Sequence, residues 1–173
     1  MKKKLILGLA ILLIAGLFMV ACENNGGKNE NSLSASRTAI VGDFSLTVTL
    51  DKTEVNVGDT VTATVVFKNL SGKDIEAELP DWIASGGGRS KEDILDAVLL
   101  HEGVEWAFID IAFFGPKPKI LIESGDIIER QFELNVTEKK NFEVHAGAFF
   151  ITPDTVYSEG MQAVGTSLKI KVR

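Results

Sequence analysis

Short runs in which apolar and polar residues alternate strictly recur through most of this chain, and a period of two is a pattern that only a half-buried β-strand satisfies. In FSLTVTL, Phe44, Leu46, Val48 and Leu50 share one face, while Ser45, Thr47 and Thr49 share the other. TVTATVVFK, Thr60 to Lys68, repeats the rule with Val61, Ala63, Val65 and Phe67 against threonines. IEAEL, ended by Pro80, is a shorter example. KILIESGDIIERQFELNV sets Phe132, Leu134 and Val136 against Glu133 and Asn135, and NFEVHAGAFFIT supplies another strand. SLKIKVR closes the chain with Leu168, Ile170 and Val172 inward, and its outward Lys169, Lys171 and Arg173 protect a sheet edge. LDAVLLHEGVEWAFIDIAFF reads as two strands joined at His101, Glu102 and Gly103, although Ser90 and Asp93 also form a capping box that would suit a short helix through Leu100. Seven to nine short strands with turn residues between them, and no convincing long helix, predict an all-β domain of two antiparallel sheets packed face to face.

KTEVNVGDTVTATVVFKNLSGKDIE resembles the front half of bacterial extracytoplasmic immunoglobulin-like modules, including adhesion-type repeats and proteinase-inhibitor-like domains. ILIESGDIIERQFELNVTEKKNFEVHAGAFF is similar to their back half: Gly125-Asp126 fits the turn, while Asn141-Phe142 stands where those modules carry a Gly-x-Tyr element. A corner hydrogen bond from a tyrosine hydroxyl is therefore replaced by aromatic packing alone. The resemblance implies an immunoglobulin-like antiparallel β-sandwich and does not select an activity, because such motifs recur under many functions.

The first 36 residues do not belong to that pattern. Lys2, Lys3 and Lys4 precede the apolar run Leu5 to Phe18, the layout of an export signal. Met19-Val20-Ala21-Cys22 resembles the lipobox of bacterial lipoproteins, with Met19 where leucine is commonest. The resemblance implies removal of residues 1–21 and acylation of Cys22, the only cysteine in the chain. Each buried methylene contributes about 0.8 kcal/mol, so two or three acyl chains make a stable anchor where one does not. An uncleaved spanning helix is the alternative reading of the same run. Residues 23–36 are dominated by Asn, Gly, Ser, Lys and Glu, a composition too polar to order itself, and read as a tether with a span of roughly 20 Å. The expected organisation is signal peptide 1–21, lipidated Cys22 and linker to 36, and a sandwich domain over 37–173, held outside the cytoplasm at the cell membrane or the outer membrane.

Removing the leader takes three of the 18 basic side chains and leaves 15 against 24 acidic ones, a net charge of −9. No basic stretch is available to displace phosphate counterions, which excludes nucleic acid as a partner. His101 and His145 fall outside any nucleophile motif and are expected to be solvated imidazoles, and no catalytic set is visible. One cysteine and two separated histidines do not make a zinc set. Asp51, Asp59, Asp74 and Asp81 lie in or near predicted turns where sandwiches hold calcium, but no D-x-D-x-D-G loop is present, and solvated carboxylates are the expected state. SGGGRSK, Ser85 to Lys91, has the glycines of a phosphate cradle without its G-K-[ST] ending. No metal or other cofactor is expected. Asn69-Leu70-Ser71 and Asn135-Val136-Thr137 match the glycosylation sequon, which carries little meaning in a bacterial lipoprotein.

WAFIDIAFF, Trp106 to Phe114, and GAFFI, Gly147 to Ile151, offer apolar residues to both faces of their strands. Something must cover the second face: a loop of this chain near Ala84 to Asp93, a second copy, or a foreign partner, with the loop the plainest choice. Trp82, Ile83, Trp106, Phe149 and Ile151 are thus the candidate binding residues. The leading expectation is a non-catalytic, lipid-anchored envelope protein that binds a protein or another envelope component. The alternative, drawn from the resemblance, is an extracytoplasmic protease inhibitor presenting Ser85 to Glu92 to a protease cleft.

Overall fold

The computed structural model describes residues 33–104, 117–152 and 161–173. The expected leader, Cys22, all but the end of the tether, and the whole of WAFIDIAFF with Trp106 lie outside the described residues. Those described belong to one unit, Asn31–Arg173. It is an all-β sandwich. Its elements in order are β1 (Ala35–Val41), β2 (Phe44–Leu50), β3 (Glu54–Val55), β4 (Thr60–Asn69), β5 (Ile75–Glu78), helix α1 (Asp81–Ser85), a 3₁₀ turn (Lys91–Ile94), β6 (Leu95–His101), β7 (Lys119–Ile122), β8 (Ile127–Asn135), β9 (Phe142–Ile151) and β10 (Met161–Val172).

One sheet has the order β1-β2-β4-β8; the other runs β3-β10-β9-β5-β7, with β6 also on β9. Among the described residues all pairings are antiparallel except that β3 joins β10 in parallel. The four-strand sheet faces the one built on β9 and β10, which makes the two-layer β-sandwich. The ten strands among the described residues exceed the expected seven to nine through β1 and the two-residue β3, whose sequences show no apolar alternation. β1 begins at Ala35, inside the segment read as tether. Its residues are mostly exposed, and it is held by the ladder to β2 and by hydroxyl pairs, Ser36 with Thr49 at 3.0 Å and Thr38 with Thr47 at 2.8 Å.

The alternating faces fill the space between the sheets. Leu46, Val48 and Leu50 of β2, and Val61, Ala63, Val65 and Phe67 of β4, are buried opposite Val144, Ala146, Ala148 and Phe150 of β9 and Ile170 of β10. Phe150 meets Phe67 and Phe44 edge-on, with ring centroids 5.7 and 5.2 Å apart.

At one end of this core sits a fully buried amide. Asn69 Nδ2 donates to the carbonyls of Lys73, Glu123 and Ile122, at 2.8, 3.0 and 3.3 Å. Its Oδ1 accepts from the Ser71 N–H and hydroxyl at 3.0 and 2.7 Å. The backbone adds two more links, Asn69 N–H to the Asp126 carbonyl and Gly125 N–H to the Asn69 carbonyl. Asn69 therefore staples the β4–β5 turn to the Gly125-Asp126 turn, and as a sequon residue its amide is wholly engaged.

The two readings of residues 90–101 are both partly realised. The Ser90–Asp93 capping box forms, but it caps only the 3₁₀ turn, and Leu95–His101 continues as a strand along β9. Gly103 takes the positive φ expected of a turn, 85°, with the Val104 N–H closing onto the His101 carbonyl; the strand expected after it falls outside the described residues.

Candidate functional site

β9 is apolar on both sides for a structural reason. Its even-numbered residues face the core, whereas Gly147 and Phe149 project from the outer face of the sheet and are nevertheless buried. Phe149 folds its ring back over Gly147, so close that a Cβ on Gly147 would lie 2.3 Å from Phe149 Cζ. Trp82 of α1 then meets Phe149 edge-on, with centroids 6.0 Å apart. The cover shown over Phe149 is therefore this chain's own Trp82, which lies just before the loop expected as a lid, Ala84 to Asp93. Trp82, Ile83 and Phe149 thus come together; Ile151, half-buried at the end of β9, pairs with Glu78 and Met161.

The segment is held down mainly by carboxylates. Asp93 accepts from the N–H groups of Arg89 and Ser90 at 2.8 and 2.9 Å, from the Ser90 hydroxyl at 3.1 Å, and from Arg130 of β8 at 3.1 Å. The backbone donors of Ser90 and Arg89 hold its carboxyl below the usual range. Lys91 reaches Asp126 at 2.7 Å, an ion pair that raises the lysine and lowers the aspartate. Asp81, at the start of α1, pairs with Lys117 at 3.0 Å.

SGGGRSK is consequently no phosphate cradle. The N–H groups of Gly86, Gly87 and Gly88 donate to the carbonyls of Trp82, Ala84 and Ile83. Those of Arg89 and Ser90 take the Asp93 carboxylate, so the anion that the loop binds is its own.

Between this cap and the flank of the sandwich lies a cleft of about 240 Å³, lined by Trp82, Ile83, Leu95, Asp96, Arg130 and Phe132, with Gly86, Gly88 and Asp93 at its edge. Arg130 lays its guanidinium over the Phe132 ring, 5.2 Å from the centroid. Asp96 sits opposite Gly147 on the outer face, its Oδ1 accepting the Ala97 N–H at 2.8 Å. No known family model matches the chain, and no curated protein matches it significantly in sequence. The site is therefore read from its own chemistry.

The other candidates are dispersed. His101 Nε2 lies 2.6 Å from Glu138 and its ring packs on Phe142. His145, expected to be solvated, is largely shielded on the outer face of β9, with Nε2 3.3 Å from Glu143. Register places Ser167 opposite His145, a juxtaposition of residue types that only strand pairing reveals, but Glu143 faces the Nε2. Asp51, Asp59 and Asp74 bind the N–H groups of Thr62, Asn56 and Ser124 in separate turns. Among the described residues no three His, Cys, Asp or Glu side chains are grouped to hold a metal. No helix among them is long and apolar enough to cross a membrane. Arg130 and Phe132 were missed as cleft residues because they lie on β8, far in sequence from Trp82; the departure from alternation at Arg130, a charge at an inward position, was the available signal.

Proposed function

We propose that this chain is a lipid-anchored protein of the bacterial cell envelope whose sandwich acts by binding a protein or another envelope component, without catalysis. The observation that carries the binding half is the cleft between the cap and β8. It combines half-buried aromatic walls with a small number of charged groups, the make-up of a recognition site. The anchor half is supported by the order of segments: a lysine-led apolar run, Cys22, and a polar stretch that gives way to strand at Ala35.

Protease inhibition is the weaker reading. A loop that mimics a substrate offers extended backbone for pairing with the protease, whereas the N–H groups of residues 86–90 are already bonded within the cap.

The anchor is tested by feeding cells a clickable fatty acid. Label should enter the wild-type protein and be lost on Cys22→Ala; label retained by that variant refutes lipidation at this site. Binding is tested by cross-linking on intact cells, where recovery of monomer alone counts against a partner.

A further inference from the structure

The geometry points to the cleft beside the cap as a receptor for one basic side chain, an arginine or lysine carried on an exposed segment of a protein partner. This rests on the binding reading above and names the chemistry of what is bound. The cleft's size argues first: at about 240 Å³ it falls below the roughly 300–1,000 Å³ of pockets that hold a drug-sized molecule, so it suits a single side chain better than a cofactor or a glycan.

Charge argues next. Of the two carboxylates at the cleft, Asp93 is met by Arg130 and by two backbone N–H groups. Asp96 has as its only hydrogen bond among the described residues the N–H of the neighbouring Ala97. An occupant that is apolar would desolvate Asp96 without pairing it, at a cost, and an anionic one would be repelled. A cation satisfies it. The walls agree with the charge, since the faces of tryptophan and phenylalanine attract cations through their ring quadrupoles. Phe132 already holds a guanidinium, that of Arg130, and Trp82 is the second aromatic wall of the cleft. The protein is itself acidic, −6 overall, and would favour approach of a basic segment.

The test uses the full chain in detergent micelles and the peptide acetyl-Gly-Arg-Gly-amide, with the citrulline peptide as its uncharged isostere. The readout is the Trp82 indole N–H resonance, assigned by its loss in Trp82→Phe. The arginine peptide should shift it saturably, more weakly as salt is raised, and the citrulline peptide should bind at least about tenfold more weakly, the worth of one charge-assisted hydrogen bond. Asp96→Asn, which keeps an acceptor for the Ala97 N–H, should weaken the arginine peptide by a similar factor. Equal shifts from the two peptides, no saturable shift, or an unaffected Asp96→Asn would overturn the inference. The peptide comparison needs no variant, so misfolding of Asp96→Asn leaves it decisive. A protein that takes up the fatty-acid label and cross-links to a partner, yet ignores the arginine peptide, refutes this inference while the anchored-binder reading stands.

Discussion

Replacing Asn69 by alanine removes five polar contacts from a side chain that is 1% exposed: three carbonyls reached by the two hydrogens of Nδ2, one hydrogen being shared, and two donors accepted by Oδ1. Their loss is unequal. The Lys73 carbonyl keeps the Ser71 hydroxyl as a donor at 3.0 Å, so it is not stranded. The Ile122 carbonyl is the most deeply buried of the acceptors, and the Ser71 N–H loses its side-chain acceptor. Taking about 0.5 kcal/mol for each partly buried bond and about 1 kcal/mol for the buried one, with some cost for the space vacated, the variant should lose about 3 kcal/mol. With a urea slope of about 2 kcal/mol per molar, the midpoint should fall by about 1.5 M at unchanged slope. Asn69→Asp sharpens the test. It has nearly the same shape but sets a carboxylate against three carbonyl oxygens, so at pH 7 it should be at least as damaging as alanine. That carboxyl has its folded pKa raised, because only its protonated form can donate. The aspartate variant should therefore regain stability as the pH is lowered and lose it as pH rises through the folded value. If Asn69→Ala costs less than about 1 kcal/mol, or Asn69→Asp matches the wild type at pH 7, the amide is not the staple described.

Gly147→Ala should destabilise by about 1–3 kcal/mol, since the new methyl collides with the Phe149 ring and an overpacked site has no slack. In a Trp106→Phe background it should also shift Trp82 emission to the red as the cap lifts; unchanged emission and midpoint would contradict the packing. The carboxyls of Asp93 and Asp126 are both held low, by backbone donors and by Lys91 respectively. Their stabilisation is full above the unfolded value of about 4 and is lost as pH falls through the folded values. Urea midpoints measured from pH 6 to pH 2 should thus fall less steeply for Asp93→Asn than for the wild type, and identical slopes would remove Asp93 from the account. Lys91→Met should cost no more than about 1 kcal/mol, because the lysine side chain is 34% exposed and water screens such a pair; a loss comparable to Asn69→Ala would mean that the ion pair, rather than the amide, holds this end together.

The chain declares its strands locally. Inward Leu46, Val48, Leu50, Val61, Ala63, Val65 and Phe67 are all buried, as alternation required, because a side-chain period of two leaves each residue only one face to occupy. The Ser90–Asp93 cap was equally legible, being a contact between near neighbours. Strand β1 was less so: its polar letters carry no alternation, and the signal that marks it is the two-residue Gly42-Asp43 turn before Phe44, where Gly42 takes a positive φ of 55°.

By itself, then, the order of residues determined the two-layer β architecture and the facing of most strands. Only the tertiary structure decided that Asn69 is buried, that Trp82 covers Phe149, and that Arg130 and Phe132 come up beside Asp96 to make a cleft. The reason is physical: periodicity and capping are settled within a turn or a strand. Which polar group is enclosed, and what lies over an apolar second face, depends on segments tens of residues apart reaching the same place.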